Sequence, residues 1–269
     1  MNKAATMTAE QALELWLKVP RVPISKKERA VLAAAENFVV PFRGQVPPGG
    51  DFALPVTAWG AAGDPLVLLV HGWGGHRAQL AAFTKPLVAA GLRAVSFDAP
   101  AHGDLPGTHS NGYQLAEAMR AVVGKVGRPR AIIAHSLGTM AVTVALQDWL
   151  KVEKLIFFGP MRRLSDTLEP FLKLNDLPAE MAPELKRITE ARFDADVWER
   201  TALDLALPKF DIPALIFHDR EDGTTPYISG VGVARAWRSA KLVTTRGLGH
   251  RGALKDPDVI KQVVDFIAT

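Results

Sequence analysis

Ser136 stands between the apolar run Ala131-Ile132-Ile133-Ala134 and the segment Leu137-Gly138-Thr139-Met140-Ala141-Val142, which continues as a helix. A buried strand, one serine and a helix make a sharp turn that lifts the hydroxyl clear of the strand ends. Crowding at such a turn demands small residues two before and two after the serine, and Ala134 and Gly138 hold those places. The helix start aims free N–H groups and a positive dipole end at the same spot. The residue types therefore suit a nucleophile. The plain alternative is a serine that merely caps a helix. A hydroxyl is a weak nucleophile at neutral pH, so the nucleophilic reading needs a base, and an acid to orient the base.

Both occur further along, each just past an apolar run. After Ala214-Leu215-Ile216-Phe217 comes His218-Asp219-Arg220-Glu221-Asp222-Gly223-Thr224-Thr225-Pro226. Asp222 precedes the turn residues and is the first choice of acid; Asp219 is its rival. After Lys241-Leu242-Val243-Thr244-Thr245 comes Arg246-Gly247-Leu248-Gly249-His250. A histidine flanked by glycines on a loop is free to turn its ring into a cleft, so His250 is the expected base. The order serine, acid, histidine fits a sheet that presents all three at one edge. A tetrahedral oxyanion would need preplaced donors. The N–H of Leu137 and that of Trp73, in the loop His71-Gly72-Trp73-Gly74-Gly75, are the candidates. Gly72, His135 and Met161 are expected around the substrate pocket. His71 and His102 read as loop-fixing residues, while His76, His109 and His218 show no partner pattern.

The elements that must position these residues alternate. Leu66–Val70, Leu92–Phe97, Ala131–Ala134, Val152–Phe158, Ala214–Phe217 and Lys241–Thr245 are unbroken or nearly unbroken apolar runs. Such runs are strands buried on both faces of a parallel sheet. Helices are expected over Arg77–Ala90, Tyr113–Val123, Ser229–Arg238 and Asp256–Ile267. Two proline-bearing strands, Phe38–Arg43 and Phe52–Trp59, read as an edge hairpin. Residues 160–210 break the rhythm with helical stretches at Leu164–Leu174, Ala179–Ala191 and Asp194–Leu205. Placed there, they would overlie the carboxyl ends of the strands as a cap, or else decorate the fold away from them. The chain divides into an N-terminal helical segment (1–36), a first core part (37–159), the cap (160–210) and a second core part (211–269). In the first segment, helices are expected at 8–18, opened by a Thr8/Gln11 capping box, and at Lys26–Glu36.

Composition narrows the classes. The 269 residues carry 32 Lys and Arg against 28 Asp and Glu, a net +4 too small and dispersed to argue for nucleic acid. There is no cysteine, which removes disulfides, zinc–cysteine sites and a thiol nucleophile. The first ten residues lack the apolar core of a secretion signal, and no run is long enough for a membrane span. A cytoplasmic protein with no membrane partner is expected. No histidine-rich metal motif occurs, so no metal site is expected. Gly72-Trp73-Gly74-Gly75-His76-Arg77 begins like a dinucleotide loop but puts Arg77 where a small residue is needed.

Taken together, His71-Gly72-Trp73-Gly74, Asp98-Ala99-Pro100-Ala101-His102-Gly103, Ala134-His135-Ser136-Leu137-Gly138, His218–Pro226 and Gly247-Leu248-Gly249-His250 resemble the α/β-hydrolase superfamily, and within it a bacterial serine-hydrolase branch. The resemblance covers about residues 50–160 and 210–269. It implies an α/β fold: an eight-stranded, mostly parallel sheet flanked by helices, with a small helical cap. It also implies a Ser136-His250-Asp222 triad and no cofactor. A serine nucleophile argues against the dehalogenase and epoxide-hydrolase branches, which use a carboxylate. The expected activity is hydrolysis of a small-molecule carboxylic ester through an acyl-enzyme. Thioesterase, amidase, C–C hydrolase and acyltransferase chemistry share the same parts, and a non-catalytic binding protein on the same scaffold is the other class. Met140, Met161 and the cap favour an apolar acyl group, although these are also ordinary core residues. Oligomeric state is not legible.

Overall fold

The computed structural model describes residues 7–269. Met1–Thr6, the first part of the segment expected to lack a secretion signal, lies outside the described residues. Two short helices come first, α1 (Ala9–Trp16) and α2 (Lys26–Ala33). Each opens on a complete capping box, Thr8 with Gln11 and Ser25 with Glu28.

An antiparallel hairpin follows, β1 (Glu36–Gly44) and β2 (Gly50–Trp59), in register from Glu36–Ala58 to Gly44–Gly50. The strands β3 (Leu66–Val70), β4 (Arg93–Phe97), β5 (Ala131–His135), β6 (Lys154–Phe158), β7 (Ala214–Asp219) and β8 (Ala240–Thr245) complete an eight-stranded sheet. Its order is β1-β2-β4-β3-β5-β6-β7-β8. Both pairings of β2 are antiparallel and the others are parallel. The hairpin is thus not wholly at the edge: β1 is, while β2 is interior. Pro55 is tolerated there because the ladder with β4 begins at Val56. Beyond it, the Pro55 carbonyl accepts from Asp98 N–H, and no N–H is demanded in return.

Alternation along the strands sorts the core. Leu68, Val70, Ile132 and Ala134 face one layer, with helices α4 (Gly112–Val126) and α5 (Leu137–Asp148). Val67, Leu69, Ala131 and Ile133 face the other, with α3 (Thr84–Ala89) and the C-terminal helix Pro257–Ala268. The helix expected over Arg77–Ala90 forms only in its second half. Its first half is turns, because the Arg77 N–H and guanidinium are turned toward the buried Asp98. That pairing offsets the cost of a charge buried beneath the loop after β4.

Residues 160–210 are helical throughout most of their length: α6 (Leu168–Leu174), α7 (Ala182–Phe193), α8 (Val197–Arg200) and α9 (Leu203–Ala206). The stretch expected as one helix over Asp194–Leu205 is two. Ala202 is extended between them, and the Leu203 N–H donates to Arg162 O at 2.8 Å. The chain ends through α10 (Tyr227–Ala236), β8, the single turn α11 (Gly249–Gly252) and α12 (Pro257–Ala268). Among the described residues no helix is long and apolar enough to cross a membrane.

Candidate active site

The turn between β5 and α5 is as sharp as the residue pattern requires. Ser136 has φ 50° and ψ −121°, a left-handed backbone that few non-glycine residues adopt. It is held there by Ser136 N–H donating to Phe158 O at 2.9 Å, across to the end of β6. Gly138 shows why that position must be small: a Cβ there would lie 2.7 Å from His71 O and 2.9 Å from Val70 O. The next strand, β3, would be pushed away. Ser136 is not helix-capping through its side chain, so its hydroxyl is not spent on the α5 backbone.

Asp222 and His250 meet directly. His250 Nδ1 lies 2.7 Å from Asp222 Oδ2. The other carboxylate oxygen accepts from Thr224 N–H at 2.9 Å and Thr225 N–H at 2.8 Å. Burial by itself would raise the Asp222 pKa; hydrogen bonds from His218, His250 and Thr225 outweigh it and hold the carboxyl well below the ordinary carboxylate range. Asp222 is an anion, and the Nδ1 of His250 that faces it carries a proton. Asp219, the rival acid, is committed elsewhere. It accepts from Thr245 Oγ1 at 2.7 Å, Leu248 N–H at 3.0 Å and Glu221 N–H at 2.9 Å, which fixes the loop that carries His250.

His250 and the serine turn share neighbours. His135 Nε2 donates to His250 O at 3.0 Å, and the two rings lie 4.6 Å apart. Burial, and then the nearby His250, push His135 down to about 3. His135 is therefore neutral and buried under the turn. Gly159, at the end of β6 and next to the Phe158 that holds Ser136, has φ 51°. A side chain there would stand 3.1 Å from the His250 ring and 3.3 Å from Asp222 Oδ2.

Two backbone donors are unspent beside Ser136. Leu137 N–H opens α5 and has no partner within the helix. Among the described residues, neither it nor Trp73 N–H makes a backbone hydrogen bond outside the helix. The Trp73 loop is pinned by neutral His71, whose Nε2 accepts from Ala99 N–H at 3.1 Å, leaving Nδ1 to donate to Gly72 O at 2.8 Å. Burial lowers the His71 pKa, in keeping with an accepting ring.

A cavity of about 540 Å³ opens onto Ser136. Trp73, Leu137, Met140 and Met161 border it, as do Phe171 and Phe193 from residues 160–210. Of the residues expected around the pocket, Met161 is in the lining while Gly72 and His135 are not. Gly72 is packed against the His135 ring and Ser136 Cβ, with no room for a side chain, and the His135 ring is used beneath the turn.

Sequence reasoning missed two participants. His218, read as having no partner pattern, is wholly buried with Nε2 at 2.9 Å from Thr225 O and 3.4 Å from Asp222 Oδ2. Both neighbours are acceptors, so Nε2 bears the proton. Its position four residues before Asp222 was the available signal. The other is the chain before β1: Leu15, Trp16, Leu17 and Pro20 line the cavity. The aromatic and leucines of α1 were visible, but nothing local says what they cover. Among the described residues no cluster of potential ligands could hold a metal ion.

A model of the Alpha/beta hydrolase family matches residues 67–263. The chain belongs to the alpha/beta hydrolase family. It is 23% identical over 240 residues to a pimeloyl-[acyl-carrier protein] methyl ester esterase of Neisseria meningitidis, covering 75% of this chain and 93% of that one. Among solved structures, an esterase from Thermogutta terrifontis superposes with a TM-score of 0.64 at 16% identity, covering 87% of this chain and all of that one. A bromoperoxidase from Bacillus anthracis gives a TM-score of 0.64 at 16% identity, over 86% of this chain and 99% of that one.

Proposed function

We propose that the chain hydrolyses carboxylic esters of small molecules through an acyl-enzyme on Ser136, with His250 as general base and Asp222 as the orienting acid. The observation that carries this reading is the pairing of His250 Nδ1 with a buried, anionic Asp222 beside a serine held at positive φ on a cavity. In the first step His250 Nε2 takes the Ser136 proton as Oγ attacks the ester carbonyl. The oxyanion is met by the N–H groups of Leu137 and Trp73. Collapse releases the alcohol, which leaves with the proton from His250. Water then attacks the acyl-enzyme, again giving its proton to His250; the acid departs and Ser136 regains its proton. Asp222 stays ionised throughout and stabilises the imidazolium. Residues 160–210 act as a cap that keeps water from the cavity except where the substrate enters. The methyl ester esterase relatives support an oxygen ester over a thioester or amide.

The test is labelling by a fluorophosphonate, read by peptide mass spectrometry in the parent and in Ser136→Ala. Adduct at Ser136 in the parent alone is the expected result. A folded parent that takes no label would overturn the reading. A panel of matched ester, thioester and amide substrates then orders the acyl chemistry, with the ester expected to have the highest kcat/KM.

A further inference from the structure

The part of the chain before β1 has no chemistry of its own, yet it is built into the cavity. Ala12 and Leu13 of α1 are buried against Leu168, Leu172, Leu177 and Leu185 of the helical insertion. Trp16 lies with its ring 6.0 Å from that of Phe171. On its other side the arm is tied to the core. Val19 N–H donates to Thr108 O at 2.8 Å, and Leu17 O accepts from Ser110 N–H at 3.1 Å. Arg21 donates to Leu105 O and Gly107 O, each at 2.8 Å. Pro20 abuts Gly74, just past Trp73, so closely that a Cβ on Gly74 would meet Pro20 O at 2.8 Å. The arm is thus clamped between insertion and core, and it passes directly over the serine's cavity.

The polar side chains that residues 160–210 bring to the cavity wall are already used. Thr167 Oγ1 donates to Leu164 O, Thr189 Oγ1 to Leu185 O, Thr201 Oγ1 to Val197 O, and Asn175 Nδ2 to Phe171 O. Each donor turns back onto its own helix. Among the described residues the lining has one charged residue, Lys18, and it is exposed. Apart from Ser136, Thr224, Thr225 and the Tyr113 hydroxyl, which has no hydrogen-bond partner among the described residues, what remains for a ligand is mainly aromatic, leucine and methionine surface, in a space of about 540 Å³, an ordinary size for a small-molecule site.

We infer that the N-terminal arm, through Leu15, Trp16 and Leu17, forms one wall of a subsite for an elongated apolar acyl chain, and that the arm sets the chain length the enzyme prefers. This rests on Ser136 being the acylated residue. The acyl chain occupies the space between the arm and the insertion, with its carbonyl at Ser136. Each methylene that fits adds apolar burial, about fourfold in kcat/KM where the contact is made in the transition state. Trp16 blocks further extension.

The experiment compares kcat/KM for p-nitrophenyl acetate, butanoate, hexanoate, octanoate and dodecanoate in the parent, Trp16→Ala and Leu15→Trp, with fluorophosphonate labelling of each. The parent should gain about three- to fourfold per methylene until the cavity is filled, then fall. Trp16→Ala, which widens the wall, should raise the dodecanoate-to-hexanoate ratio at least about fivefold. Leu15→Trp, which narrows it, should lower the same ratio, and it decides the matter alone if Trp16→Ala does not fold. A flat or falling parent profile, or the same profile in both variants, would overturn the inference while Ser136 labelling kept the hydrolase reading intact. An unlabelled, folded parent would overturn both.

Discussion

The end of the sheet and the helical insertion face each other across one cavity and are built differently. In α5, behind Ser136, Leu137 through Leu146 are all buried. In α7, a helix of the same length on the insertion, only Leu185 and Thr189 are. The turn at Ser136 is fixed by a backbone bond to β6 and by glycines whose Cβ would strike a neighbouring strand. The insertion is held by a modest apolar cluster and by ion pairs at its rim, such as Arg163 with Asp204 at 2.8 Å. A close-packed, over-determined region can hold one strained residue in one geometry. A thinly buried region of short helices can change shape and size at little cost. On the function proposed above, chemistry would belong to the first and the choice of substrate to the second.

That division is tested most severely by removing groups on the sheet side. Ser136→Ala and His250→Ala are expected to lower kcat by about 10⁴-fold or more, with melting temperatures close to the parent's. A milder result would place the chemistry elsewhere. Next comes the choice between the two acids. Asp222→Asn should lower kcat about 10³- to 10⁴-fold, whereas Asp219→Asn should change it less than about fivefold and instead destabilise the fold by about 1 kcal/mol, because the half-buried donors from Thr245 and Leu248 lose their acceptor. Paired kinetics and urea unfolding separate the two, and a reversal would exchange their roles.

Acid should also distinguish the two regions, since residues 160–210 contain no histidine. Burial pushes His102 and His135 down to about 3 in the folded chain, while the unfolded chain binds those protons near pH 6.5. Between those values the unfolded state holds more protons, so stability falls as pH falls, by about 2 kcal/mol per histidine at pH 5. The Asp222 carboxyl is likewise held below its unfolded value, so its contribution has the same sign, but it is lost only below about pH 4. His135→Gln, which keeps a donor for His250 O, should therefore reduce the drop in urea-unfolding free energy between pH 7.5 and 5 by about 2 kcal/mol. An unchanged slope would mean that His135 is protonated in the fold. A smaller effect is expected at His218, where leucine should lower kcat about tenfold with little change in KM, as Asp222 loses one of its donors. Least of all, Arg163→Ala should leave kcat within about twofold of the parent; a collapse of kcat there would erase the contrast between the two regions.

Legibility followed the same line. The strands were readable because parallel strands buried on both faces must be continuous apolar runs, and Ser136, Asp222 and His250 were readable because each follows such a run. Ala134 and Gly138 gave the turn away through size alone. The Arg77–Ala90 helix misled because its periodicity is genuine, while the Arg77–Asp98 pair that breaks it joins residues far apart in sequence. The interior place of β2 was hidden for a similar reason: Pro55 argues for an edge until the end of β4 is seen to leave it unopposed. The arm before β1 was opaque for a deeper reason. An amphipathic helix announces that one face is covered, but its partner, here α6 and α7, follows from tertiary packing only.

The tryptophans carry one more consequence. Of the six in the chain, Trp16 and Trp73 both border the cavity, one on the arm and one beside the serine, while Trp237 is sealed in the core as an internal constant. Filling the cavity strips water from two indoles at once, so the protein's own ultraviolet emission reports occupancy, and a Trp16→Phe chain would tell which wall the ligand reached first.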